Sequence, residues 1–190
     1  MCKARGLAGA LVGSLFMLMS AEGGASERDP EPRERAALAM QVSCFGSSRF
    51  VYTPAMSNSP QDVTVAFSSL YSGCLSVLAQ GVASVSVVPT RTSFSGVACG
   101  EVLSSAPEEL TLLWNNGAVS VVSLAPAEVD EEATTTTVTF TGTVVSGRFA
   151  GMAVARASTY LNVDLKNRCE GPTGLTEANV FSVLVLAQPR

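Results

Sequence analysis

The stretch LTLLWNNGAVSVVSL, Leu110 to Leu124, decides the fold class, because a turn signal sits at its centre between two runs of strand-forming residues. Asn116-Gly117 suits a two-residue type I′ turn, whose twist matches that of the strands on either side. Such a turn pairs Trp114 with Val119, Leu112 with Val121 and Leu110 with Ser123, so most of the apolar bulk shares one face. The other face, with Asn115, Leu113, Thr111, Ala118, Ser120 and Val122, is mixed. A hairpin buried on one side is marginally stable alone, so other strands must cover it.

Strand patterns recur on both sides of the hairpin. Met40 to Phe45 and Arg49 to Thr53 flank Gly46-Ser47-Ser48, and Pro54 with Asn58-Ser59-Pro60 marks a loop. Asp62 to Tyr71 alternates, with Val63, Val65 and Phe67 on one face. Val82 to Val88 sets Ala83, Val85 and Val87 against Ser84 and Ser86, a further strand is expected over Thr92 to Cys99, and Ala106 to Glu109 leads into the hairpin. Glu128-Val129-Asp130-Glu131-Glu132 reads as a loop. Thr135 to Val145 is the most regular segment, with Val138, Phe140, Gly142 and Val144 facing one way and Thr137, Thr139, Thr141 and Thr143 the other. After the Ser146-Gly147 turn, Phe149 to Leu161 returns antiparallel. Lys166 to Thr173 is expected to be a loop, and Val180 to Leu186, apolar on both faces, reads as a central strand. No segment downstream keeps helical spacing. The expectation is an all-β fold, an antiparallel β-sandwich of about eight or nine strands, favoured over a small barrel.

The N-terminus reads differently. Lys3 and Arg5 precede the apolar run Leu7 to Ala21, and small residues near Ala25 and Ser26 offer a cleavage point, the pattern of a secretory signal peptide over residues 1–26. The run has 15 residues, short of the roughly 20 that a spanning helix needs, so no membrane span is expected once the signal is removed. Residues 27–40, with alternating charges and two prolines, read as a flexible lead, and 41–190 as the folded domain.

Composition excludes several functions. The 190 residues are 47% hydrophobic and carry 12 Lys and Arg against 16 Asp and Glu, a net charge of −4 without a basic stripe, which argues against a nucleic-acid partner. There is no histidine, which removes the usual base of Ser and Cys nucleophiles and the usual transition-metal ligand. Lys166 has no Ser-x-x-Lys pattern before it, and no phosphate-binding glycine loop occurs. No catalytic, metal or cofactor residues are therefore expected.

Cys2 leaves with the signal, and Cys44, Cys74, Cys99 and Cys169 form an even set in an exported chain, which reads as two disulfides. Three pairings are open. Cys44 and Cys99 sit in strand patterns while Cys74 and Cys169 sit in turn-like surroundings, so like with like predicts Cys44 to Cys99 and Cys74 to Cys169.

Two acidic clusters, Glu108-Glu109 and Glu128 to Glu132, raise the question of a calcium site or a carboxylate-dependent hydrolase. Both read first as solvated surface. Trp114 is a core residue in the register above, against the alternative of a sugar-stacking platform, and Tyr52, Tyr71 and Tyr160 read as sheet-edge packing residues.

The succession CFGSSRFVYTPAM, Cys74, Cys99, LLWNNG, VVSGRFAG and CEGPTGLT, spanning Val42 to Leu186, resembles a group of small exported actinobacterial proteins of uncharacterised function. The resemblance implies an exported, disulfide-bonded β-sandwich and carries no activity or site residues. Members of that group are richer in Thr and Gly and poorer in charge around the fourth cysteine than NVDLKNRCEG is here.

The sequence thus predicts a secreted, non-enzymatic β-sandwich, an interaction or cell-envelope module for a protein or glycan. One alternative is a protease inhibitor presenting Arg168 on a disulfide-braced loop, Leu165 to Thr176. The other is a hydrolase using Glu108, Glu109, Asp130, Glu131 and Glu132.

Overall fold

The hairpin forms, in a register different from the expected one. In the computed structural model, which describes residues 42–76, 80–99, 101 and 108–189, Leu113 faces Val119, Leu112 faces Ser120 and Leu110 faces Val122. Gly117 has a φ of 80° and Asn116 is not left-handed, so the connection is not a type I′ turn. Trp114 N–H donates to Ala118 O and Gly117 N–H to Trp114 O, which makes a three-residue loop with glycine at its left-handed position. A slip of one residue turns one strand over. Ser120, Val122 and Leu124 therefore face inward with Leu110, Leu112 and Trp114, while Val119 is 43% exposed. Trp114 is 1% exposed, a core residue and no sugar platform.

The described elements are β1 (Val42–Met56), β2 (Gln61–Ser76), β3 (Val85–Val97), β4 (Glu108–Trp114), β5 (Val119–Leu124), β6 (Glu128–Glu131), β7 (Thr135–Gly147), β8 (Ala153–Leu161), α1 (Asn162–Glu170) and β9 (Leu175–Ala187). Each of β1 to β4 pairs with the next, as do β7 and β8, β9 pairs with β1, and β5 pairs with β7, all antiparallel. The sheet thus closes into an eight-stranded barrel, with β6 continuing β5 past Pro126 along the rest of β7. This corrects the sandwich. An inside/outside alternation is the same in both architectures, and what separates them is whether the last strand finds the first.

Two glycines let the wall curve tightly. A Cβ on Gly46 would collide with the carbonyl oxygen of Leu70, and one on Gly142 with that of Ser123. Gly46 lies at a register shift inside β1, so the two short strands expected around Gly46-Ser47-Ser48 are one bent strand. Likewise Val82 to Val88 and Thr92 to Cys99 merge into β3, and the acidic loop Glu128 to Glu132 is mostly the edge strand β6. The strand Val180 to Leu186 is half of β9 and buries only its inward side; Phe181 is exposed. The loop expected over Lys166 to Thr173 contains the end of α1. Residues 1–40, with the signal and the charged lead, lie outside the described residues.

The disulfides join Cys44 to Cys74 and Cys99 to Cys169, not Cys44 to Cys99 and Cys74 to Cys169. Cys44 and Cys74 are directly opposite each other on β1 and β2, a pairing decided by register. Cys99 follows β3 and Cys169 lies in α1, so the second bridge pins the helix to the β3 end. By chain entropy, closing loops of 30 and 70 residues contributes on the order of 4 kcal/mol each. Among the described residues no helix is long and apolar enough to cross a membrane.

Non-reducing peptide mapping is expected to return Cys44–Cys74 and Cys99–Cys169 peptides only. Gly142→Ala, which forces a Cβ against the β5 backbone, is expected to lower stability in urea by about 2 kcal/mol. Gly73→Ala, where a Cβ meets only Phe45 O at 4.0 Å, is the control and is expected to change it by less than about 0.5 kcal/mol.

Candidate functional site

An inward alternation along β8 sets Val154, Arg156, Ser158 and Tyr160 on the dry side of the wall. Arg156 is 2% exposed. Its Nη2 donates to Glu108 Oε2 at 3.0 Å, and its guanidinium carbon lies 4.7 Å from the Phe67 ring centre and 4.4 Å from that of Phe140. Rings at this distance attract a cation through their quadrupoles. Nε and Nη1 of Arg156 have no hydrogen-bond partner, and they are two of the four such buried side-chain atoms among the described residues.

The guanidinium borders a partly enclosed cavity of about 50 Å³ lined also by Phe50, Tyr52, Phe94, Val138, Ser158 and Tyr160. A water needs about 10 to 15 Å³ of such space, so the cavity holds a few waters or one carboxylate-sized group, but no whole drug-sized molecule. Burial pushes the Tyr52 phenol up, and burial followed by the neighbouring Tyr52 pushes Tyr160 up further. Both hydroxyls therefore stay protonated and available as donors. Glu108 is also pushed above the ordinary carboxylate range by burial, against the opposing pull of Arg156.

A chain of hydroxyls runs from this cavity across four neighbouring strands. Ser158 bonds Ser182 at 2.9 Å, Ser182 bonds Ser48 at 2.7 Å, and Ser48 bonds Ser69 at 2.6 Å. All four serines are buried. Their oxygens satisfy one another, which is what lets polar groups sit in a dry interior. None of them is paired with a base, so they are not activated nucleophiles.

Among the described residues β3 and β4 share three residue pairs, Val85 with Trp114, Ser86 with Leu113 and Val87 with Leu112. Two residues later Pro89 has no N–H to give to a neighbouring strand, and β3 from there onward pairs with β2 alone among the described residues. The burial pattern records the loss: Val85 and Val87 are buried, whereas Thr92, opposite the inward Val65, is exposed. Thr92, Phe94 and Glu108 all line the cavity, so it reaches the surface past the exposed Thr92. The two barrel ends are occupied differently. At one, the Trp114 and Phe149 rings meet edge to face at 5.0 Å, with Trp114 Nε1 donating to Ser120 Oγ. At the other, α1 lies against β8 and β9, with Leu165 on the core and Cys169 bonded to Cys99.

The residues singled out from the sequence fall out as follows. Glu108 is not solvated surface but the inward partner of Arg156, whereas Glu109 is exposed and Glu128, Asp130 and Glu131 lie on the exposed β6. The acidic clusters do not converge, and no metal-binding group of three ligands occurs among the described residues. Tyr52, Tyr71 and Tyr160 are buried inside the barrel, not at a sheet edge. Arg168 sits on α1 and donates to Glu177 O at 2.8 Å. A protease takes its inhibitor's loop as an extended strand, so a helical Arg168 is badly placed for that role. Arg156 was the residue missed. Its signal was an arginine at the parity of Val154 and Tyr160 in an otherwise small and apolar strand.

No family model, curated protein or solved structure matches the chain.

Two carboxylates shift in opposite directions. Glu177, on the outer wall, is lowered to about 2 by hydrogen bonds from Arg49 and then Asn179. Its contribution to stability is present above the ordinary value of 4.5 and lost as pH falls toward about 2. Glu108, raised by burial, contributes in the reverse sense: most at low pH, lost as pH rises through its folded value. Urea unfolding as a function of pH is expected to show Glu177→Gln flattening the acid limb and Glu108→Gln removing a decline above the ordinary glutamate range.

Proposed function

We propose that the chain is an exported, non-enzymatic binding protein that takes part of a small ligand into its barrel. The observation that carries this reading is the pair of unpartnered donors on the buried Arg156, which lines a cavity that the exposed Thr92 also borders. Buried donors are ordinarily paired, and an unpaired one costs about 1 to 3 kcal/mol. A bound acceptor removes that cost. Two disulfides favour an oxidising compartment.

Catalysis has less support. Glu108 is the one carboxylate lining the cavity, and two facing carboxylates are what a hydrolase of that kind needs. A cavity inside the wall suits part of a small molecule better than a flat protein or glycan contact.

Nuclear magnetic resonance of the oxidised protein titrated with benzoate, hexanoate, benzyl alcohol and hexan-1-ol tests the reading. At least one probe is expected to give saturable shifts at Phe140, Arg156 and Ser158 and to raise the melting temperature by mass action. No saturable shift at these residues with any of the four would overturn it.

A further inference from the structure

We infer that Arg156 anchors the carboxylate headgroup of an organic acid whose apolar tail leaves the cavity past Thr92, Phe94 and Glu108. The inference rests on the binding reading above and adds to it the ligand's chemistry and its route.

Charge comes first. Arg156 is a buried cation whose counter-charge, Glu108, engages Nη2 alone and leaves Nε and Nη1 without acceptors. An anionic oxygen acceptor satisfies a guanidinium donor more strongly than a neutral one does. The protonated phenols Tyr52 and Tyr160 and the hydroxyl of Ser158 line the same cavity, which adds donors for the remaining lone pairs of a carboxylate. A second cation there would meet Arg156 unshielded, so a basic ligand is disfavoured.

Size comes next. About 50 Å³ admits the carboxylate but not the molecule that carries it, so the body must lie elsewhere. Trp114 and Phe149 fill one end of the barrel, and α1, fixed by Cys99–Cys169, lies at the other. The exposed Thr92 lines the cavity beside Phe94 and Glu108, so the way out runs past these three residues, where an apolar or aromatic chain meets the Phe94 ring. Glu108 stands at the threshold and competes with the incoming headgroup for Arg156. Burial shifts it towards the neutral form while Arg156 opposes that shift, and it engages Arg156 through Nη2 alone.

The same four probes separate this inference from the broader reading. Benzoate and hexanoate are expected to bind at least about ten-fold more tightly than benzyl alcohol and hexan-1-ol, the difference of one charge-assisted hydrogen bond, and to shift the Arg156 Nε resonance. The double variant Arg156→Met with Glu108→Gln, neutral at both positions and so free of an orphaned charge, is expected to fold and to bind acid and alcohol alike. Glu108→Gln alone is expected to tighten benzoate. Equal interior binding of acids and alcohols by the unaltered protein would overturn the inference and leave the binding barrel standing, whereas no interior binding of any probe would remove both. An acid preference that survives in the double variant would overturn Arg156 as the anchor. For the route, hexanoate carrying a nitroxide at its far end is expected to broaden the amides of Arg91 to Phe94 and of Glu109 to Thr111. Broadening centred on α1 or on Trp114 would overturn the exit past Thr92, Phe94 and Glu108.

Discussion

Five residue pairs between β5 and β7, from Ser120 opposite Gly147 to Leu124 opposite Gly142, turn a strip of sheet into a closed wall. The two glycines sit where the backbones come closest, and a side chain at either would strike a carbonyl oxygen of β5. Closure removes the free edges that an eight-stranded sheet would otherwise expose. It also fixes the volume inside. Eight strands leave an interior that side chains can just fill, so each inward residue is either apolar, as Leu110, Leu112, Val122 and Leu184 are, or bonded to another inward residue, as the four serines are.

Arg156 is the charged member of this interior that closure satisfies only in part, as the Tyr71 hydroxyl is a neutral one. One carboxylate and two aromatic rings offset part of the cost of burying its charge, and two donors are left over. Among the described residues β3 loses β4 as a partner beyond Val87, and its register against β2 is irregular where Phe67 and Ser69 face Thr90 and Val87. Glu108, the first residue of β4, lies within reach of Nη2.

Much of the wall was legible in the sequence. Val63, Val65 and Phe67, and Val138, Phe140 and Val144, face inward as their alternation requires, and Trp114 is core. Three things were not legible, for physical reasons. Strand alternation carries no information about whether the first and last strands meet, so a sandwich and a barrel looked alike. An Asn-Gly pair supports both a two-residue and a three-residue loop, and the choice flipped β5. Cysteine surroundings say little about pairing when opposition across β1 and β2 decides it, as for Cys44 and Cys74. Arg156 and Glu108 lie 48 residues apart, and only closure brings β4 and β8 to opposite sides of one cavity.

A purely structural account of the Arg156–Glu108 pair has to meet an energetic difficulty. Replacing a buried ion pair with apolar residues of similar volume is often neutral or stabilising by about 1 to 4 kcal/mol, and the rings of Phe67 and Phe140 would pack a methionine well. Stability alone therefore gives no reason for a guanidinium here, nor for two donors left unpaired, each a further cost. A structural role would favour a sealed wall around the pair, since low dielectric strengthens the attraction. The cavity is instead bordered by the exposed Thr92. A charged anchor with spare donors, set just inside an opening, is costly for a free protein and well suited to one that holds an acceptor from outside.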